Sequence, residues 1–190
     1  MSEQNNTVAS KSKSYSRMIM DQKRKPHRFP QSTLLEAALV SNVTFNAWRK
    51  RNGLFPWTNA DRKWNTYSGA EITTARTVVV LTSAGMVASR AVSAAMALLP
   101  MYRADWETGS PLMESDPVLA LSFDQEGQGW SDFDASSPVG EVIRREQYPV
   151  SIILRPARIV LEVLIGIEKV MGLPVKDLLQ AVNPKPHESF

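Results

Sequence analysis

Four side chains within one short stretch, Thr44, Asn46, Arg49 and Lys50, carry the groups that read base edges and grip phosphates. Arg offers guanine two parallel donors. Asn matches adenine with one donor and one acceptor. Each such contact is worth roughly 1–3 kcal/mol of discrimination. Arg51 extends the cationic run, and Arg62, Lys63 and Asn65 form a second cluster suited to phosphate or the minor groove. The partner these groups imply is double-stranded DNA. The competing reading of Arg49-Lys50-Arg51 is a solvated cationic face, because charge runs usually are solvated. Phe45 and Trp48 interleave with the cations, and such rings more often anchor a short helix than touch a ligand. For Trp64 two readings stay open: packing beneath a hairpin, or lying against sugar-phosphate.

Net charge is only +3, but it is unevenly spread. Residues 1–65 hold twelve Lys/Arg against four acids, a surplus of eight positive charges. The remainder holds ten basic and fifteen acidic side chains, a surplus of five negative ones. A polyanion is therefore drawn to the first third and repelled by the rest.

The elements that must position these groups are signalled by caps and breaks. Thr33-Leu34-Leu35-Glu36 reads as a capping box opening a first helix, with Leu34, Ala37 and Ala38 on one face. Val40-Ser41-Asn42 is a short break. A second helix is expected over Thr44–Arg51, capped by Asn42 or Thr44 and stopped by Gly53. Two helices so tightly joined make a helix-turn-helix candidate. Pro56 prevents continuation, and residues 58–67 read as a hairpin, a wing. Ser68-Gly69-Ala70-Glu71 is a second capping box, opening a helix with Ile72, Ala75, Val79 and Val78 inward, closed by Gly85. A further helix spans Val87–Leu99 and stops at Pro100.

Beyond Pro100 the chain turns acidic, with Val118–Phe123 and Val150–Leu154 as expected strands and residues 127–138 as a loop. Pro156–Met171 is a buried helix or a strand. Its length and the Arg158/Glu162 spacing favour helix, its Ile and Val content strand. A last short helix is expected over Val175–Val182.

At this level the chain resembles the MerR-type winged-helix DNA-binding family. Tyr67-Ser68-Gly69-Ala70-Glu71-Ile72 resembles the family's Tyr-Ser-x-x-Asp-Val, which opens its third helix. Asn52-Gly53-Leu54 resembles its Gly-Leu before the wing, and Val79, Leu81, Gly85 and Ala91 fall on its apolar ladder, break and next helix. The likeness covers about 70 of the 190 residues. It implies a mainly α fold with a small β wing, and it adds Tyr67 to the DNA-contacting set. There are departures. The second helix is about two residues short, as in the similar excisionase-type domains of phages. The family's Arg before the wing tyrosine falls at Asn65, and its recognition-helix base falls near Ala47.

The expected organisation is a flexible basic arm (1–29), a winged helix-turn-helix domain (30–100), an acidic loop-rich linker with one strand (101–147), and a smaller β-α region (148–190) that dimerises or senses. The function expected is that of a sequence-specific DNA-binding transcriptional regulator acting as a homodimer, cytoplasmic and nucleoid-associated. The alternative is a protein-interaction or DNA-architectural module using the same scaffold. No catalytic motif is present, so the chain is expected not to be an enzyme. No cofactor or metal is expected: cysteine is absent, His27 and His187 are isolated, and the pairs Asp105/Glu107, Asp124/Glu126 and Asp132/Asp134 lack a cation-loop spacing and read as solvated acids. No apolar run reaches membrane-spanning length.

Overall fold

The computed structural model describes residues 28–58, 65–108, 118–123, 150–172 and 174. Several expectations lie outside these residues: the arm up to His27, the tip of the wing with Arg62, Lys63 and Trp64, the acidic pairs beyond Phe123, and the helix at Val175–Val182. What is described is mainly helical, with two small antiparallel sheets.

The described residues open with β1 (Arg28–Pro30), which takes in residues 28 and 29 of the expected arm. Phe29 is buried and Arg28 is anchored, so this end of the expected arm is fixed by packing. Pro30 leads directly into α1 (Gln31–Ala37) and stands at its N-cap, with no side-chain cap bond. The capping box expected at Thr33 is therefore displaced. Thr33 already lies inside the helix, buried, with its hydroxyl toward the Met171 sulfur at 3.9 Å.

The turn Ala38–Ser41 joins α1 to α2 (Asn42–Asn52). Ser41 is the cap: its Oγ accepts the Thr44 N–H at 3.1 Å. That starts the helix two residues before the expected Thr44. Gly53 ends it at φ +73, as its left-handed tolerance predicts.

Strand β2 (Thr66–Ser68) pairs antiparallel with β1, Phe29 opposite Tyr67. The partner of β2 thus lies almost forty residues upstream, and residues 59–64 of the expected hairpin lie outside the described residues. Ser68 then caps α3 (Gly69–Ser83) in a complete capping box with Glu71, as expected. Ile72, Ala75 and Val78 are buried, with Val79 partly so.

Helix α4 (Ala88–Thr108) does not stop at Pro100; it runs through it. Losing the Pro100 N–H costs about 3 kcal/mol in a helix interior. Packing on both sides of the break offsets this. Leu98, Leu99, Tyr102, Asp105 and Trp106 recur at helical spacing and are all buried. Tyr102 and Trp106 bond to α3, through the Thr77 hydroxyl at 2.9 Å and the Thr73 hydroxyl at 3.0 Å. Asp105 is consequently a buried helix residue and not part of a solvated acidic pair.

Strands β3 (Leu119–Phe123) and β4 (Val150–Leu154) pair in register Leu119 to Leu154. Pro156–Met171 is a helix, α5. It belongs to the same core as the preceding helices. Its Gly166 meets the Ala37 backbone so closely that an added Cβ would sit 2.8 Å from the Ala37 Cα. Glu162 pairs with Arg76 of α3 at 3.0 Å, not with Arg158. No packing boundary therefore separates residues 30–100 from this helix.

Candidate nucleic-acid interface

Helix α2 has two unlike faces. Phe45, Trp48 and Arg49 recur at i, i+3, i+4 and are buried. Phe45 stands edge-on to Tyr67 at 5.6 Å between centroids, and Phe55 tilts against both. The other face leaves Val43, Thr44, Lys50 and Arg51 exposed, with Asn46 and Ala47 half-buried.

Of the residues singled out from sequence, Thr44, Asn46, Lys50 and Arg51 come together on this outer face. Arg49 does not join them. It is 7% exposed, and its guanidinium lies over the Phe45 ring at 5.8 Å. Its Nε and Nη2 donate to the Thr58 hydroxyl at 3.2 and 2.8 Å, and Nη2 also donates to the Thr58 carbonyl at 3.2 Å. Arg49 thus ties the chain after α2 back onto the helix, which corrects its assignment as a base reader. The reason is periodic: one position after Trp48 turns the side chain inward.

Tyr67 is likewise removed from the contact set, being fully buried. Its hydroxyl finds no hydrogen-bond partner of full geometry among the described residues. Burial pushes its pKa up, only partly offset by the Arg49 charge and the nearby Thr58. Asn65 is half-buried beside β2, and Arg62 and Lys63 lie outside the described residues.

Three residues that were not singled out as contacts complete the outer face. Gln31 of α1 donates from Nε2 to Asn42 Oδ1 at 2.9 Å, and Asn46 Nδ2 donates to the same oxygen at 2.9 Å. Val43 is 81% exposed. The signal that would have found them is the Ser41 cap. A start at Asn42 puts residues 42, 43 and 46 at the beginning of the helix and facing out.

Behind this face, Glu71 is a buried hub. Its Oε2 accepts from the Ser68 N–H at 2.7 Å and the Ser68 hydroxyl at 3.1 Å, and pairs with Arg28 at 3.4 Å. Its Oε1 accepts from the Trp57 indole at 2.8 Å. Trp57 in turn carries the Arg103 guanidinium 5.3 Å above its ring. One carboxylate thereby joins β1, β2, α3 and the segment after α2.

Among the described residues no group of three or more His, Cys, Asp or Glu could hold a metal, and no helix is long and apolar enough to cross a membrane. No protein family model matches the chain, and no curated protein matches it.

Proposed function

We propose that this chain binds double-stranded DNA sequence-specifically and acts as a transcriptional regulator. In this reading α1 and α2 form a helix-turn-helix, and α2 enters the major groove. One observation carries the proposal: the outer face of α2 collects Thr44, Asn46, Lys50 and Arg51, while its aromatics and Arg49 face the core. Such a face supplies base-edge readers near the start of the helix and phosphate-binding cations at its end. The +8 surplus of residues 1–65 supports the same side as the one that meets a polyanion. A wing at residues 58–67, with Arg62 and Lys63, completes the winged form of this reading. A single module of this size buries little surface, so it acts as a homodimer on paired half-sites. The exposed Ile165, Val170 and Met171 of α5 support a contact between copies.

The test is binding of the full chain to duplex DNA across a salt series. Affinity is expected to fall steeply with salt, and Lys50→Ala with Arg51→Ala to flatten the slope by about one unit per lost phosphate contact. A flat slope, or one untouched by the double variant, overturns the proposal. Arg49→Ala is unsuitable here, because it disturbs the fold.

A second reading, an interaction module using the helices as scaffold, has one observation in its favour. A groove of about 420 Å³ runs between α1 and α5, lined by Leu39, Ile165, Gly166 and Val170 with Glu36 and Lys169 among its charged neighbours.

A further inference from the structure

Val43 has no folding role that accounts for it. It is the most exposed large apolar side chain among the described residues, at 81%. A β-branched residue is also a poor helix former, so neither burial nor propensity favours it there. Its neighbours are amides held in place. Asn42 Oδ1 accepts from both Gln31 and Asn46, and this fixes all three side chains. The bonds leave Asn46 with its Oδ1 and one Nδ2 hydrogen not engaged in the network. These are the acceptor and donor that match adenine N6 and N7.

Resting on the DNA-binding reading above, we infer that Val43 and Asn46 form the specificity-determining pair, selecting an A·T-containing step. Asn46 reads adenine, and Val43 packs on a thymine methyl. Gln31 and Asn42 are positioning residues. The spacing suits neighbouring base pairs: three residues of helix rise about 4.5 Å, and successive bases in a strand are separated by about 3.4 Å. Lys50, one further turn along the same exposed face, is placed for the backbone. Pre-fixed amides lose little rotamer freedom on binding, which suits them to discrimination.

The test uses the full-length protein and duplexes selected by it from a random pool, each then remade with uracil replacing thymine. Loss of the thymine methyl at one or two positions is expected to weaken wild-type binding about four-fold, the worth of one buried methyl group. Val43→Ala is expected to bind with the same salt slope but to lose this sensitivity, and Asn46→Ala to lose its preference for adenine at the adjacent position. Because Val43 is exposed, its variant keeps the wild-type circular dichroism. Selected sites indifferent to the methyl, or a Val43→Ala protein that still senses it, overturn the inference and leave DNA binding standing. Failure to bind any duplex at low salt overturns both.

Discussion

Helices α2 and α3 lie close in sequence but serve opposite ends. Ten of the fifteen residues of α3 are buried, four of them threonine or glutamate. Only three of the eleven in α2 are buried. In α3 the polar side chains are spent internally. Thr73, Thr74 and Thr77 return their hydroxyls to the carbonyls of Gly69, Ala70 and Thr73, and Glu71 gathers β1, β2 and Trp57. In α2 Arg49 turns inward to Thr58, while Thr44, Lys50 and Arg51 stay exposed. The difference teaches that polarity in a helix is not itself a functional signal. What decides is which side of the helix each polar group takes, toward the core or toward solvent.

The largest effect should come from the α3 side. Glu71→Ala leaves the Ser68 N–H, the Trp57 indole and Arg28 without their shared acceptor, and removes the side-chain half of the capping box of α3, while the Ser68 hydroxyl still caps the residue 71 N–H. Each hydrogen bond lost from the charged carboxylate is worth about 1.5–3 kcal/mol. Denaturant unfolding should show that loss. Lys50→Ala with Arg51→Ala, exposed on α2, should move stability by less than about 0.5 kcal/mol per site. Comparable losses in the two proteins would break the contrast.

Next in size is an alkaline limb set by Tyr102. Burial pushes its phenol up to about 12, lowered somewhat by the Thr77 hydrogen bond and raised by Asp105. The folded state thus holds the proton more tightly than the unfolded chain, whose phenol titrates near its ordinary value of 10.0. The stabilisation is complete below that value and is lost as pH rises through the interval to about 12. Linkage makes the loss roughly 2–3 kcal/mol across the interval. Unfolding free energies at pH 9 and above 11 should differ accordingly, and Tyr102→Phe should flatten the fall.

A smaller and opposite effect is expected in the turn between α1 and α2. Leu39 sits at φ +55 and is 68% exposed. The left-handed state costs a side chain about 1–2 kcal/mol. Leu39→Gly removes that cost and returns about 0.4–1 kcal/mol through the looser unfolded chain. The thermal midpoint should therefore rise slightly. A fall would mean that Leu39 is held by contacts its exposure does not reveal.

Much of the scaffold was legible because it is written locally. The Ser68–Glu71 box, the Gly53 stop, the inward Phe45 and Trp48, and the β3 and β4 segments all follow from neighbouring residues. Helix α5 was favoured over a strand on length, and its ends at Pro156 and Gly172 bear that out. What escaped depends on partners distant in sequence. Pro100 looks like a stop until Tyr102 and Trp106 are seen to reach the threonines of α3. The β1 strand is invisible until Thr66–Ser68 lies beside it. On the candidate face, Thr44, Asn46, Lys50 and Arg51 were readable as a cluster. Arg49 was not: it follows Phe45 by four residues onto the inward face, and its partner Thr58 lies beyond the end of the helix.

Tyr67 gives the finest test of where the presented surface ends. The expectation from sequence counts this tyrosine among the proposed DNA contacts, yet it is fully buried between Phe45 and Phe55. Its hydroxyl is buried against Thr58 without a full-geometry hydrogen bond, so its desolvation cost is not fully offset. A phenol of ordinary value 10.0 is neutral at physiological pH, and burial moves it further up, so it contributes no charge either. Tyr67→Phe should leave the ring packing intact, with stability unchanged or slightly higher and the same DNA affinity and salt slope. A folded Tyr67→Phe protein that binds DNA more weakly would show that β2 opens toward the duplex, and the boundary drawn at the outer face of α2 would have to move to include it.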